Sequence, residues 1–168
     1  MKLNEFLGTE FPFIQGGMAN IATGEFAAAC SNAGALGLIG AGGMTAETLR
    51  SHIHTAKSLT NKPFGVNIML MNPEADAMAQ VVVEEGVPVV TTGAGNPGKY
   101  MAAWKAAGIK VIPVVAAATL AVHLERTGAD AVIAEGTESG GHVGEMTTMA
   151  LVPQVCDAVH IPVNAAGG

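Results

Sequence analysis

His142 stands at the centre of a polar, glycine-rich stretch, Gly136-Thr137-Glu138-Ser139-Gly140-Gly141-His142-Val143-Gly144-Glu145. An imidazole takes up or releases a proton near neutral pH, which suits acid catalysis or polarisation of a carbonyl. A solvated loop histidine without a role would sit in the same surroundings. Asn67 lies inside an otherwise apolar run, Phe64-Gly65-Val66-Asn67-Ile68-Met69. A buried amide costs about 1–3 kcal/mol unless it is hydrogen-bonded. Its donors and acceptor together suit the polar edge of a ring-shaped ligand, and a neighbouring loop would satisfy it equally well. Gln15 and Glu135, at the ends of two other apolar runs, pose the same question with less force.

Other candidate motifs carry less. Gly93-Ala94-Gly95-Asn96-Pro97-Gly98 matches the spacing of a dinucleotide-binding turn. The acidic residue expected about 20 residues later is missing, because the next apolar run reads Ile109-Lys110-Val111-Ile112-Pro113. Close approach of backbone to a ligand, where no Cβ would fit, accounts for these glycines better. His52 and His54 are two apart on a helix and diverge, while His123 and His160 read as surface residues. No Cys, His and carboxylate spacing suggests a metal site, and no Gly-x-Ser-x-Gly elbow suggests a hydrolase.

The elements that must position these residues are short apolar runs without alternation, the pattern of strands buried on both faces. They are Phe13–Gln15, Leu36–Gly40, Phe64–Ile68, Pro88–Thr92, Lys110–Pro113, Ala131–Glu135 and Ile161–Ala165. Helical periodicity fills the intervals: Leu49, Ile53 and Ala56; Leu120 and Leu124; Leu151, Val155 and Ala158. Thr45 and Asn96 are expected as N-caps, with Pro97 opening the helix after Asn96, and Gly34, Gly86, Gly108 and Gly128 as C-terminal stops. Strand starts fall about 21 to 30 residues apart, as in repeated βα units. Glycine clusters at Gly16-Gly17, Gly40 to Gly43, Gly93 to Gly98, Gly140 to Gly144 and Gly167-Gly168 each follow a strand's carboxyl end. Ligand-type loops after so many strands favour a (β/α)8 TIM barrel over an open sheet, which uses chiefly one crevice. Seven strands are expected, one short of eight, so the barrel is truncated after the seventh: either the chain is a fragment or a second chain supplies the rest. Residues 1–168 read as the N-terminal portion of one barrel, without strand eight.

Bulk composition narrows the classes. Hydrophobic residues make up 49% and charged residues 13%, which excludes a disordered chain. With 4% aromatic residues, the core must be aliphatic. A net charge of −6 argues against nucleic acid or an anionic membrane as partner. No apolar run approaches the ~20 residues of a membrane span, and the start carries no signal peptide, so a cytoplasmic protein is expected. Cys30 and Cys156 fall in apolar helical stretches and are expected as buried thiols in a reducing compartment.

Several segments taken together resemble one family. They are Gln15-Gly16-Gly17-Met18, Phe64 to Leu70, Thr91-Thr92-Gly93-Ala94-Gly95-Asn96-Pro97, Glu135-Gly136 with Gly140-Gly141-His142, and Thr147 to Val155. In combination they resemble the FMN-dependent enoyl-acyl-carrier-protein reductases of the FabK type, which belong with the nitronate monooxygenases (2-nitropropane dioxygenases). The resemblance runs over essentially the whole chain. Gly140-Gly141-His142 is shared by both branches, whereas Thr91 to Pro97 is closer to the reductases. Glu135 departs from the glutamine common at this place in the monooxygenases.

The resemblance implies a TIM barrel with FMN at its carboxyl rim, reduced by NADH or NADPH. Hydride would then pass to the β-carbon of a trans-2-enoyl thioester on acyl carrier protein, with a proton added at the α-carbon. Gln15, Gly16, Gly17, Met18, Asn67, Thr92, Gly93, Glu135, Gly140 and Gly141 would line the flavin. Gly167 and Gly168 would open the phosphate loop after strand seven. His142 would be the catalytic or substrate-orienting residue. The implied partners are the acyl-carrier-protein substrate, the C-terminal remainder with its small second domain, and a second copy in a homodimer. The alternatives are a nitronate monooxygenase, with the same histidine as base, and a barrel fragment that acts only by association.

Overall fold

A computed structural model describes residues 2–168. Six strands pair in parallel and in chain order: β1 (Gly37–Gly40), β2 (Phe64–Met69), β3 (Val89–Gly93), β4 (Lys110–Val115), β5 (Val132–Glu135) and β6 (Val163–Ala166). Helices α3 (Ala46–Leu59), α4 (Ala75–Glu84), α5 (Gly98–Ala106), α6 (Ala118–Arg126) and α7 (Thr148–Ala158) make the crossovers, and α2 (Gly24–Asn32) leads into β1. Strictly sequential order with one helix per crossover is the winding of a TIM barrel. Gln15, before the first strand, and Asn164, on the last, line one common cavity, so the sheet curls. The architecture is a truncated TIM barrel.

The expected strand Phe13–Gln15 is reduced to a single bridge, Ile14 to Leu36. Leu36 donates to the Phe13 carbonyl and Gln15 donates to the Leu36 carbonyl. The ladder stops there because the next donor, Leu38 N–H, goes to the Gln15 side chain at 2.8 Å instead of to main chain. Among the described residues the sheet therefore has six strands where seven were expected.

Strand alternation sorts the apolar residues into two layers. Val66, Val90, Val111, Val115, Val132 and Ala134 join the helix faces in the larger core. Leu38, Val89, Ile112, Ala131 and Ile133 face inward and meet Leu36 and Leu7. Leu7 comes from α1 (Leu3–Leu7), a short helix that the apolar pattern does not announce. It packs with the inner layer, and the Lys110 ammonium donates to the Phe6 carbonyl.

Leu49, Ile53 and Ala56 turn inward as their periodicity predicts, and Thr45 caps α3 by accepting from Thr48 N–H. Helix α5 starts one residue later than expected: Pro97 is the cap and Asn96 accepts from Gly98 N–H. The thiols depart from expectation, with Cys30 half-buried and Cys156 exposed. Cys156 follows the buried Val155 by one position and so points about 100° away, off the core face of α7. Helices α3 and α4 are tied at one end by ions: Arg50 pairs with Glu84 and Glu85 at 2.5 Å each, and Lys57 and His54 reach Glu85 at 2.9 and 3.0 Å.

Candidate active site

The carboxyl ends of the strands and the inner layer enclose an open cavity of about 950 Å³. The segment 15–18 forms one wall. Gln15 is held by Leu38 N–H on its Oε1 and by its own donation to the Gly16 carbonyl. Gly17 lies flat on the side chain of Asn67: a Cβ added there would stand 2.4 Å from Asn67 Cβ and 2.9 Å from Nδ2. No side chain fits in that space, so this contact alone requires glycine.

Asn67 and Thr91 are neighbours in the β2–β3 register and project from the same face. The buried Thr91 hydroxyl donates to Asn67 Oδ1 at 2.8 Å. Thr92, the expected ligand residue, points the other way, into the helix layer, and does not line the cavity. The reason is the two-residue period of the strand: Val89, Thr91 and Gly93 share the inner face, Val90 and Thr92 the outer. The Thr92 hydroxyl is buried with no hydrogen-bond partner among the described residues. Gly93 and Ala94 continue the wall, and Ala94 holds a left-handed φ of 53°.

On the opposite side Glu135 is half-buried and accepts from the Ser139 hydroxyl at 2.8 Å. The loop from Gly136 to Met146 is closed by Thr137 N–H on the Met146 carbonyl and anchored by Gly136 N–H on the Ala166 carbonyl. Glu138 caps the start of α7, accepting from Thr148 N–H at 2.8 Å and from its hydroxyl at 2.7 Å. The Thr148 hydroxyl, then its N–H, hold this carboxyl below the usual range. With both ends fixed, the loop presents Ser139, Gly140, Gly141 and His142 to the cavity. The His142 side chain is exposed and makes no hydrogen bond among the described residues.

Of the residues singled out in the sequence, Gln15, Gly16, Gly17, Met18, Asn67, Gly93, Glu135, Gly140, Gly141 and His142 all line this one cavity. Gly167 and Gly168 do not; Gly167 turns with φ 117° against Gly136 and Thr148, and Gly168 stands beside Glu138. Thr91, Ala94, Ser139 and Asn164 line it without having been expected. Asn164 carried the same signal as Asn67, a lone amide in an apolar run, and donates to the Val132 carbonyl at 3.2 Å. No metal-binding cluster of histidine, cysteine and carboxylates occurs among the described residues. No helix among them is long and apolar enough to cross a membrane.

The wall combines aliphatic side chains with neutral amides and hydroxyls, and its ionisable groups among the described residues are Glu135 and His142. Gly93, Gly140 and Gly141 have open space where a Cβ would stand. Such a wall has the mix of apolar surface and a few convergent polar groups that ligand pockets combine.

A family model described as nitronate monooxygenase matches residues 1–168. The FabK structure from Thermotoga maritima is 55% identical with a TM-score of 0.95, over 97% of this chain and 52% of that one. A (3aS,4S,5R,7aS)-5-hydroxy-7a-methyl-1-oxo-octahydro-1H-indene-4-carboxyl-CoA dehydrogenase of Rhodococcus jostii (strain RHA1) is 42% identical over 99% of this chain. A probable nitronate monooxygenase of Staphylococcus aureus (strain Newman) is 30% identical over 99% of this chain. The chain spans 47% and 60% of the length of these two relatives.

Proposed function

The chain belongs to the nitronate monooxygenase family, and from that premise we propose that it builds the flavin side of an enoyl-thioester reductase. The observation that carries the reading is the difference in likeness, 55% identity to FabK against 30% to the probable monooxygenase. The 42%-identical relative is named for a carboxyl-CoA, itself a thioester. FMN is the cofactor we assign, with NADH or NADPH as reductant and enoyl-acyl carrier protein as substrate. The fit rests on this chain's own geometry: a cavity of about 950 Å³, backbone bare of Cβ atoms at Gly93, Gly140 and Gly141, and amides on its walls.

Bound FMN would supply hydride for the β-carbon of the enoyl thioester. The protein's work is position and proton. Asn67 offers hydrogen bonds to the ring's polar edge, and Glu135 keeps one carboxylate oxygen for a donor after Ser139 has taken the other. Gly140 and Gly141 let a second planar group approach closely, and His142 delivers the proton to the α-carbon or holds the thioester carbonyl. The rest of the complete protein, and a second copy of it, are the proposed structural partners.

The test uses the complete protein. Crotonyl thioester should drive NADH or NADPH consumption, with bound flavin visible in the absorption spectrum. The family match favours one rival, a nitronate monooxygenase in which His142 takes a proton from the nitroalkane. Oxygen consumption driven by nitronate, without thioester-dependent NAD(P)H oxidation, would decide for that rival. A complete protein without flavin and without either activity would leave only the reading of a barrel that acts by association.

A further inference from the structure

We propose that Thr91 is a positioning residue that fixes the Asn67 amide with its N–H donors toward the cavity, so that the bound ring must present an acceptor there. The inference rests on the flavin reading and goes beyond it by assigning the polarity of one contact and the residue that sets it.

Three observations converge. Asn67 and Thr91 are direct neighbours across β2 and β3, so both side chains leave the sheet on its inner face. The Thr91 hydroxyl, 1% exposed, donates to Asn67 Oδ1 at 2.8 Å. Gly17 covers the same amide so closely that a Cβ there would come within 2.9 Å of Nδ2. A side-chain amide has two donors and one acceptor atom. Thr91 engages the acceptor, and Gly17 restricts the amide's movement. No hydrogen bond from Nδ2 is made among the described residues, although Asn67 lines the cavity. What the amide offers a ligand is therefore an N–H.

A 180° flip of the amide would turn Nδ2 toward Thr91 and Oδ1 toward the ligand. The hydroxyl would then accept, and its own proton, buried on a side chain 1% exposed with no other acceptor among the described residues, would be left unpaired; the cavity would be offered an acceptor. Thr91 thus controls a choice between two ligand chemistries. An oxidised isoalloxazine carries carbonyl oxygens and ring-nitrogen lone pairs along its polar edge, which the observed orientation suits. A ring edge that presents only N–H groups would bind more weakly, because the amide would have to flip and leave the Thr91 proton unpaired.

The test measures FMN affinity by fluorescence quenching, and apoprotein melting temperature, on the complete protein. Thr91→Val keeps the shape and removes the hydroxyl; it should weaken FMN binding five- to tenfold. Thr91→Ser, which restores the O–H, should stay within twofold of the parent. Thr91→Cys, a much weaker donor, should follow Val and serves where Thr91→Val does not fold. Asn67→Ala should weaken binding at least tenfold, and adding Thr91→Val to it should cost nothing more. Equal affinity in the parent and Thr91→Val, or full additivity of the two substitutions, would overturn the positioning role while leaving the flavin reading intact. A complete protein that folds but binds no FMN would overturn the flavin reading and this inference with it.

Discussion

His142 spends no side-chain hydrogen bond on the fold among the described residues, and it stands exposed in the cavity wall on a loop anchored at both ends. Its removal should therefore affect reaction more than folding. In the complete enzyme, His142→Ala is expected to lower turnover at least tenfold, or ~1.4 kcal/mol of barrier, with flavin affinity unchanged. Turnover equal to the parent's would remove it from the mechanism. At this scale the sequence was legible where a residue type is unusual for its surroundings, as with Asn67, Glu135 and His142. It was not legible where two identical residues sit side by side. Thr91 and Thr92 differ only in which way the strand turns them, and the choice depends on a register that Asn67 and Val89 fix in space. Gly167 and Gly168 look like ligand-loop glycines, yet they stand against Gly136, Thr148 and Glu138 outside the cavity wall.

Between elements, the joint of β5, the His142 loop and α7 is tightly packed. A Cβ on Gly136 would lie 2.1 Å from Thr148 Oγ1 and 2.3 Å from Thr148 N. Gly136→Ala must push α7 outward, and overpacking of this kind costs about 1–3 kcal/mol. Thermal melting should show the loss, and turnover should fall as well because the same joint carries His142; an unshifted melting temperature would contradict the close packing. The α3–α4 tie makes a second, pH-dependent prediction. Lys57, then Arg50 and His54, lower the Glu85 carboxyl from 4.5 to about 2. Because the folded value is depressed, the stabilisation is present above pH 4.5 and is lost as pH falls toward 2. Glu85→Gln should melt below the parent at pH 7, and the gap should close between pH 4.5 and 2. A constant gap would show that the carboxylate's charge is not what holds the two helices. Most strands and helices were readable from apolar runs and 3.6-residue periodicity. The strand at Phe13–Gln15 was over-read because an apolar run cannot reveal that a glutamine side chain replaces the ladder. Helix α1, five residues long, gives no periodicity to read.

For the whole molecule, the sheet has two edges, and they are unlike its middle. Residues Val89 to Thr92 of β3 are buried, whereas every residue of β6 keeps some exposure. At the other edge a single bridge at Ile14 extends the ladder among the described residues, and Phe13 beside it is 65% exposed. Unpaired backbone next to apolar surface invites pairing with another chain. A barrel closes only when strand number, tilt and shear agree, and eight parallel strands meet that condition where six and a bridge do not. The relatives matched are about twice as long as the part this chain covers or somewhat less. The expectation is that the remainder of the complete protein covers these edges and, on the proposed FMN reading, supplies the loop after strand eight that would hold the phosphate. Expressed alone, residues 1–168 should self-associate, and their β6 amides should exchange with solvent much faster than those of β3. Adding the remainder as a separate polypeptide should yield a one-to-one complex, protect β6 and restore flavin binding. Exchange of a segment between two copies would instead give a dimer with β6 protected but flavin affinity still weak, because no phosphate loop is supplied. A monomer of these residues alone that binds flavin tightly and protects β6 as well as β3 would show that closure is not what the site requires.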